Sequence, residues 1–456
     1  MAKHASASLN PQAQRRFALE VLQRLRRAGF EAYWAGGCVR DLLLGHTPKD
    51  YDVATNATPQ QVRKLFGRRR TVPVGAAFGV MLVVGPPQAG TVEVTTFRTE
   101  GPYSDGRHPD QVRYATARED VLRRDFTING MLYDPETQQV LDWVGGQEDL
   151  RQGVIRAIGD PRERFAEDHL RMFRAVRFAA RFGFQIEPET HQAVREMAAK
   201  ITNVSRERLA AELEMMLVPP SRSQGLKLLE ETGLLALLLP EVDRLREVQN
   251  PEQPQENLWQ HTLRVLERLQ GPPFPLALAA LLHECGAPEL FSRQEPPATE
   301  TELPERLQQA AKRAARLANR FARRWRLSNP VRKQTRWLVE HQRSLRRADR
   351  LPWSRVQPLL VSPWAENLLG LHQADMEALG LDTQVLDFCR QKLTLPRQEL
   401  DPPPLVTGED LKSLGLKPGP RFGRLLAWVR NQQLDGLLRT REQALEAVRQ
   451  RIREGT

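Results

Sequence analysis

Two short segments near the N-terminus combine residue types that suit phosphate chemistry. The first runs from Gly36 to Asp41 with the sequence Gly-Gly-Cys-Val-Arg-Asp, and the second is Asp50-Tyr51-Asp52. Because side chains on a strand alternate between its two faces, we expect Asp50 and Asp52 to share one face. Two such carboxylates suit Mg²⁺, which prefers one or two carboxylates together with substrate phosphates. Each motif alone is also common on ordinary surfaces, but together they favour nucleotidyl transfer.

A second cluster runs from Arg123 to Gly130 with the sequence Arg-Arg-Asp-Phe-Thr-Ile-Asn-Gly. Such a polar group is costly to bury without partners. Arginine carries a planar, permanently charged fork that suits the oxygens of a triphosphate. The alternative is a solvated helix start in which Asp125 pairs with one of the arginines.

A third cluster combines Asp168, Arg171, Arg174 and Arg177, which follow one another at intervals of three. Residues three apart are neighbours on a helix, so we expect all four on one helical face. Three arginines on one face repel each other unless an anion lies against them. An acid and an arginine side by side can read a base edge, one accepting and the other donating hydrogen bonds. The alternative is an exposed face of salt bridges.

The predicted secondary structure that must position these residues changes along the chain, from mixed helices and strands to helices. Helical periodicity from Pro11 to Ala28 is followed by alternating helix and strand signals, which predict an α+β unit of about five strands and two or three helices over the first ~140 residues. From Asp160 onward helical periodicity dominates. The stretch from Asn250 to Glu256 is rich in Pro, Gln and Glu and is interpreted as a connector.

Composition limits the classes of partner. The chain has 456 residues and a net charge of +11, which attracts polyanions such as nucleic acids. Its three cysteines, Cys38, Cys285 and Cys389, form no disulfide or metal pattern, as expected in a reducing compartment. No signal peptide and no apolar run of transmembrane length is visible. We therefore expect a soluble, cytoplasmic protein without a membrane partner.

Taken in order, the three clusters resemble the class II tRNA nucleotidyltransferase and bacterial poly(A) polymerase family, closely over residues 15–240. The resemblance implies an α+β fold with a nucleotidyltransferase head containing a small mixed sheet (residues 1–150). It further implies an all-helical neck with a nucleotide-selecting helix (151–240), a helical body (241–395) and a tRNA-binding tail (396–456). It also implies template-independent addition of CCA, or its terminal A, to the 3′ end of tRNA from CTP and ATP.

The resemblance assigns roles to individual residues. Asp50 and Asp52 would be catalytic ligands of Mg²⁺, and Gly37, Arg40 and Arg124 would bind the nucleotide. Asp168 and Arg171 would pair with the incoming base. The supporting positions would be Arg174 and Arg177, with Glu207 and Arg208 of the neck bracing the base-selecting helix.

Two local features bear on which reaction is catalysed. The polar, Gly/Pro-rich segment between Arg98 and Arg113 resembles the family's flexible loop, with Asp105, Arg107 and Asp110 as polar groups, and its full length disfavours an enzyme that adds only CC. The stretch around Gly75 lacks the basic pair typical of the poly(A) polymerases. Addition of A alone and poly(A) synthesis remain alternatives. A non-catalytic RNA-binding relative is the non-enzymatic alternative.

The middle of the chain also resembles a phosphohydrolase domain of the HD type, through His261 and His283-Glu284. That family has Asp where this chain has Glu284, and no later pair of histidine and acid is apparent, so we interpret the region as a degenerate, structural remnant. The arginine-rich segment from Lys312 to Arg350 is interpreted either as a solvated face or as a surface that contacts tRNA phosphates.

Overall fold

The computed structural model describes residues 9–75, 79–101, 112–291, 299 and 301–453. The chain divides into two compact units. The first comprises the residues up to Met216 together with Gln224–Leu238, and the second comprises Leu217–Ser223 and the residues from Leu239 onward. The finer division into four parts stays a prediction.

A mixed sheet forms the centre of the first unit. Over the residues that the structure describes, it has seven strands in the order β3-β4-β5-β2-β1-β8-β9, and within this sheet only β2 and β5 pair in parallel. A separate antiparallel pair, β6 with β7, follows β5 in the chain. The strands are β1 (Ala32–Ala35), β2 (Asp52–Thr55), β3 (Thr71–Gly75), β4 (Val80–Val84), β5 (Thr91–Thr96), β6 (Arg98–Glu100), β7 (Val112–Tyr114), β8 (Met131–Asp134) and β9 (Gln139–Asp142). The expected α+β head is confirmed, with more strands than the five predicted because the edge strands are short and only partly apolar.

Helices surround and follow this sheet. They are α1 (Pro11–Arg27), α2 (Gly37–Leu43), α3 (Pro59–Phe66), α4 (Ala117–Leu122), α5 (Gly146–Gln152), α6 (Pro161–Glu167), α7 (Leu170–Phe182), α8 (Pro188–Met197), α9 (Arg206–Leu217), α10 (Arg222–Glu231) and α11 (Leu234–Leu238). A two-residue parallel ladder between β10 (Val154–Ile155) and β11 (Gln185–Ile186) interrupts the predicted all-helical neck. Local chemistry sets several boundaries: Thr58 and Gln61 form a reciprocal capping box at the start of α3.

Two sequence expectations about local geometry are wrong. Asp50 precedes β2, which begins at Asp52, so the two acids do not belong to one regular strand. Asp168 is not helical, because its backbone (φ −143°, ψ 104°) lies in the extended region at the break between α6 and α7. The spacing of three therefore holds on a single helix only for Arg171, Arg174 and Arg177.

The second unit is almost entirely helical. Its helices are α12 (Pro240–Asp243), α13 (Leu258–Arg268), α14 (Phe274–Leu282), α15 (Leu303–Arg324), α16 (Asn329–Glu340), α17 (Trp353–Leu360), α18 (Ala365–Ala378), α19 (Gln384–Leu393), α20 (Arg397–Leu400), α21 (Gly408–Ser413), α22 (Pro420–Leu434) and α23 (Arg441–Arg453). The stretch interpreted as a connector instead forms an antiparallel hairpin of β12 (Gln249–Asn250) and β13 (Gln253–Asn257). Among the residues the structure describes, no helix has both the length and the apolar character needed to cross a membrane.

The buried guanidinium of Arg222 binds backbone carbonyl oxygens of the second unit. Arg222 is 1% exposed, and its guanidinium donates to the carbonyl oxygens of Leu217, Val218, Leu266 and Leu269 at 2.8–3.2 Å. Burial lowers the pKa of Arg222. The partial negative charge of carbonyls near the ends of α9 and α13 compensates its charge.

Candidate active site

A cleft of about 690 Å³ opens in the first unit, where β1, β2 and β5 face α2, α7 and α9. Of the described residues, nine arginines and five carboxylates line it. This excess of positive charge suits an anionic ligand, and the carboxylates give the cleft a local site for a cation.

Three of the carboxylates lie on or next to the two parallel strands. Asp52 at the start of β2 is the register partner of Glu93 on β5, and Asp50 lines the same cleft. Burial, followed by the charges of Glu93 and Asp50, raises the pKa of Asp52 to about 7, although Arg124 opposes the shift. Because repelling, desolvated carboxylates favour a bound cation, this group has the oxygen donors and the electrostatics of a metal site.

The glycine turn lies next to these acids. Gly36 has φ +71°, a conformation that side chains disfavour, and a Cβ there would lie 3.1 Å from Nη1 of Arg124. Gly37 begins α2 and lines the cleft. The turn therefore leaves the Arg124 guanidinium unobstructed.

Arg40 lines the cleft but is held by protein groups. It is 4% exposed and donates to Oδ1 of Asp41 and, at 2.7 Å, to Oδ1 of Asn129. Its guanidinium also lies 4.7 Å from the ring centroid of Phe182 and 5.3 Å from that of Phe178. These contacts join α2 to α7, so Arg40 positions the two walls of the cleft relative to each other.

The two adjacent arginines of the second cluster share a buried acid. Asp120 is 0% exposed and accepts from Nη2 of Arg123 at 2.7 Å and from Nη2 of Arg124 at 3.0 Å. Burial opposes ionisation of Asp120, but the two arginines outweigh it and lower its pKa. The Nε of Arg124 is buried without a hydrogen-bond partner, and its Nη1 makes a long hydrogen bond of 3.4 Å to the carbonyl oxygen of Asn129.

The arginine stripe is neutralised by protein carboxylates, contrary to the expectation that an anion must lie against it. Arg174 donates twice to Oδ2 of Asp125, at 2.9 and 2.7 Å, and Arg177 donates to Glu212 at 2.5 Å. Burial would raise the pKa of Asp125, but Arg174 and the hydrogen bond from Asn129 outweigh burial and lower it to about 2. The stripe therefore ties α7 to the Arg123–Gly130 segment and to α9.

The predicted base-reading pair is also engaged. Asp168 accepts from Arg208 at 3.0 and 2.6 Å, one bond to each carboxylate oxygen. Arg171, 9% exposed, donates to Oε2 of Glu167 at 2.5 Å and to the carbonyl oxygens of Arg164 and Arg123. Both side chains face the cleft from the start of α7, held in place by partners on α6 and α9.

The cleft brings together the predicted site residues from all three clusters: Gly37, Arg40, Asp50, Asp52, Arg124, Asp168, Arg171, Arg174 and Arg177. The loop residues Asp105, Arg107 and Asp110 lie outside the described part of the chain. Sequence reasoning missed Arg181, whose position four residues after Arg177 was a usable signal, and Glu212, which has no local signal.

A separate polar cluster lies inside the second unit. His261 on α13 and His283 after α14 approach Asp375 on α18, and one nitrogen or oxygen atom of each lies within 4.8 Å of the others. Sequence reasoning did not predict Asp375 as a member of this cluster, because Asp375 lies 114 residues after His261.

Models of known families match three segments of the chain. A poly(A) polymerase head domain matches residues 32–156, a probable RNA- and SrmB-binding site of polymerase A matches 183–245, and domain 2 of tRNA nucleotidyltransferases matches 299–448.

Individual proteins are similar as well. The chain is 43% identical over 222 residues to the CCA-adding enzyme of Geobacillus stearothermophilus (48% of this chain, 54% of that enzyme) and 42% identical over 258 residues to poly(A) polymerase I of Escherichia coli O6:H1 (54% of each chain). It thus spans about half the length of these curated relatives. The crystal structure of the Bacillus stearothermophilus CCA-adding enzyme in complex with CTP has a TM-score of 0.69 at 28% identity, covering 97% of this chain and 98% of that one. The three matched domains, the relatives and the shared fold agree: this chain belongs to the family of tRNA nucleotidyltransferases and bacterial poly(A) polymerases.

Proposed function

We propose that this protein is a template-independent nucleotidyltransferase that adds CCA, or its terminal A, to the 3′ end of tRNA with CTP and ATP as substrates. One observation carries the proposal. A single cleft holds both the carboxylates that suit a metal ion and the Asp168–Arg171 pair that suits a base edge. Catalysis and base choice would then occur in the same place.

Nucleotidyltransferases of this class use divalent metal ions, and we propose Mg²⁺ held by Asp50 and Asp52, with Glu93 beside them. The raised pKa of Asp52 supports this assignment, because a bound cation would relieve the repulsion between neighbouring carboxylates. When bound, Mg²⁺ supplies charge neutralisation for the triphosphate and activation of the attacking 3′-hydroxyl.

Arg124 is the residue best placed to bind the triphosphate. Its Nη1 lies beside the glycine turn and makes a long, weak hydrogen bond of 3.4 Å to the carbonyl oxygen of Asn129, which phosphate oxygens can replace. Asp120 fixes its orientation through Nη2, so little rotamer freedom remains to be lost when phosphate oxygens bind. Gly37 and Arg40 complete this wall of the cleft, Arg40 by positioning α2 on α7.

Asp168 and Arg171 provide the base selection. The Watson–Crick edges of cytosine and adenine both place an amino donor beside a ring-nitrogen acceptor, whereas guanine and uracil place a carbonyl beside an N–H. An acid that accepts and an arginine that donates therefore match C and A and mismatch G and U. Each buried polar group left unpaired costs about 1–3 kcal/mol, so a wrong base is disfavoured by roughly 10²–10⁴-fold.

The acceptor in this proposal is tRNA, bound by the basic helices. The arginines of α15 and α16 include Arg316, Arg320 and Arg336, which are exposed, while the intervening alanines and Trp325 are buried. Such a surface suits a phosphate backbone. A cytoplasmic location is part of the same proposal.

The test is single-nucleotide incorporation on defined acceptors. The purified chain is incubated with tRNA that lacks CCA and with tRNA that ends in CC, with CTP, ATP or both, and the 3′ ends are sequenced. CCA on the first acceptor supports full addition, and A on the second acceptor alone supports terminal A addition. Long A tails on an unrelated RNA would support the poly(A) alternative, to which the full-length likeness to a CCA-adding enzyme gives less weight. No incorporation on any acceptor would refute nucleotidyl transfer.

A further inference from the structure

One exposed arginine of the cleft has no acid of its own. Arg181 is the last residue but one of α7, and its side chain lines the cleft. Seven of the other eight arginines that line the cleft form ion pairs with carboxylates. Within the part of the chain that the structure describes, no carboxylate forms an ion pair with Arg181. Its charge is therefore available to an anionic ligand.

Arg181 lies on the same side of the cleft as the glycine turn. Its guanidinium is 5.1 Å from the ring centroid of Phe182, and the guanidinium of Arg40 is 4.7 Å from the same centroid. Nη2 of Arg40 would in turn lie 3.4 Å from a Cβ built at Gly37. Through Phe182 and Arg40, the side chain of Arg181 is therefore placed beside the start of α2.

The charge of Arg181 adds to a positive field at this end of the cleft. Burial is the main cause that lowers the pKa of Arg40 and of Arg177, and the charge of Arg181 contributes to both shifts. Asp41 compensates Arg40, and Glu212 compensates Arg177. The charge of Arg181 itself stays uncompensated among the described residues, which favours an anion at this place.

The glycine turn gives the cleft a direction. The last residue of β1 is the register partner of Asp52. The next residue lies beside Arg124, and the one after that lies beside Arg40. A triphosphate whose reacting phosphate lies at Asp52 and whose chain follows this turn therefore passes Arg124 first. Its terminal phosphate is then directed toward Arg40 and Arg181.

Helix α7 spans the cleft in the same direction. Arg171 of the base-reading pair lies in the first turn of α7, and Arg181 lies ten residues later in its last turn. At a rise of 1.5 Å per residue, the two positions are about 15 Å apart along the helix axis. The base and the terminal phosphate are the two ends of a nucleoside triphosphate. A nucleotide read at Arg171 therefore extends its phosphates toward Arg181.

We propose that Arg181 binds the terminal phosphate of the incoming nucleoside triphosphate. The inference rests on the proposed function, since it takes nucleoside triphosphates as the substrates. A guanidinium without a protein acid can donate all of its hydrogen bonds to phosphate oxygens. Because every nucleoside triphosphate carries the same terminal phosphate, this contact increases affinity for all of them and leaves base choice to Asp168 and Arg171.

The test compares two nucleotides that differ only in the terminal phosphate. Binding of CTP and of CDP to the full chain is measured by calorimetry with Mg²⁺ and without RNA, so that no transfer occurs. We expect Arg181→Gln to weaken CTP binding by about tenfold and CDP binding by less than about twofold. Arg181→Lys keeps the charge and should recover most of the lost affinity. The unchanged affinity for CDP also shows that the variant is folded.

The matched control is Arg195→Gln, which removes an exposed arginine of α8 outside the cleft and should change neither affinity. The measurements are repeated at about 0.5 M KCl, because salt screens a distant charge more than a direct contact. The preference for CTP should persist there, and its disappearance would show that Arg181 acts only through its field.

Three other outcomes would overturn the proposal. These are an equal loss for CTP and CDP, no loss for either, or a loss confined to the affinity for tRNA, which would assign Arg181 to the acceptor. The proposed function is tested separately by incorporation. A wild-type chain that binds CTP but adds no nucleotide contradicts nucleotidyl transfer alone, whereas the absence of CTP binding contradicts both.

Discussion

Neutralising Asp125 without changing its shape isolates the charge that ties α7 to the Arg123–Gly130 segment. In Asp125→Asn the two hydrogen bonds from Arg174 to Oδ2 lose their ionic partner, and Arg174 stays half-buried beside a neutral amide. Folding lowers the pKa of Asp125 from 3.8 to about 2. Each pKa unit corresponds to 1.36 kcal/mol, so the charge stabilises the first unit by about 2 kcal/mol at neutral pH.

The pH dependence gives this prediction its specific signature. Because the pKa is lower in the folded state, the stabilisation is complete above pH 3.8 and is lost as the pH falls toward 2. The difference between wild type and Asp125→Asn should therefore be constant from pH 7 to pH 5 and fall to about half at pH 3.

The measurement is urea unfolding monitored by hydrogen–deuterium exchange of peptides from the first unit, so that the stability of this unit is measured on its own. Glu163→Gln removes an exposed charge from α6 and is the control, with an expected change within about 0.5 kcal/mol. A variant as stable as wild type at pH 7, or a difference that does not shrink at pH 3, would refute the reasoning.

Three further changes test other parts of the structure. Asp52→Asn should reduce nucleotide incorporation by about 10³-fold, the order found when a group that stabilises developing charge is removed, while filter binding shows unchanged tRNA affinity; retained incorporation would exclude Asp52 as a metal ligand. Arg171→Lys keeps the charge but loses the planar fork, so discrimination between CTP or ATP and the other triphosphates should fall by about 10–100-fold in competition assays, and unchanged discrimination would remove Arg171 from base reading. Arg222→Met leaves four carbonyls without their donor and should destabilise the second unit by about 3 kcal/mol in thermal unfolding; equal stability would show that water replaces the guanidinium.

The parts of the fold predictable from sequence are those encoded by neighbouring residues. The helix beginning at Pro11 and the Thr58 cap follow from periodicity and capping chemistry, and the apolar strand from Val80 to Val84 follows from composition. The carboxylates near β2 and the arginines of the second cluster could be predicted to work together because their residue types are complementary. The structure places them in one cleft.

What could not be predicted depends on partners distant in the chain. Arg174 meets Asp125 across 49 positions and Arg177 meets Glu212 across 35, so the arginine stripe is stable without the external anion that its sequence suggested. The spacing of three from Asp168 to Arg177 is regular in the sequence, yet the backbone of Asp168 is extended and lies outside the helix. A helical pattern therefore does not reveal a break at which a tertiary ion pair fixes the side chain.

Under the proposed function, two side chains of the protein compete with every incoming base. Arg208 holds Asp168, and Glu167 holds Arg171. A nucleotide enters by exchange of partners, and its binding energy is the difference between two sets of hydrogen bonds. Cytosine or adenine replaces both lost contacts, whereas a mismatched edge replaces neither and Arg208 and Glu167 re-form their bonds. Discrimination then depends on how well the resident partners compete with the wrong base. Weakening the Arg208–Asp168 ion pair would therefore let a mismatched base stay bound longer, and it would also loosen Asp168.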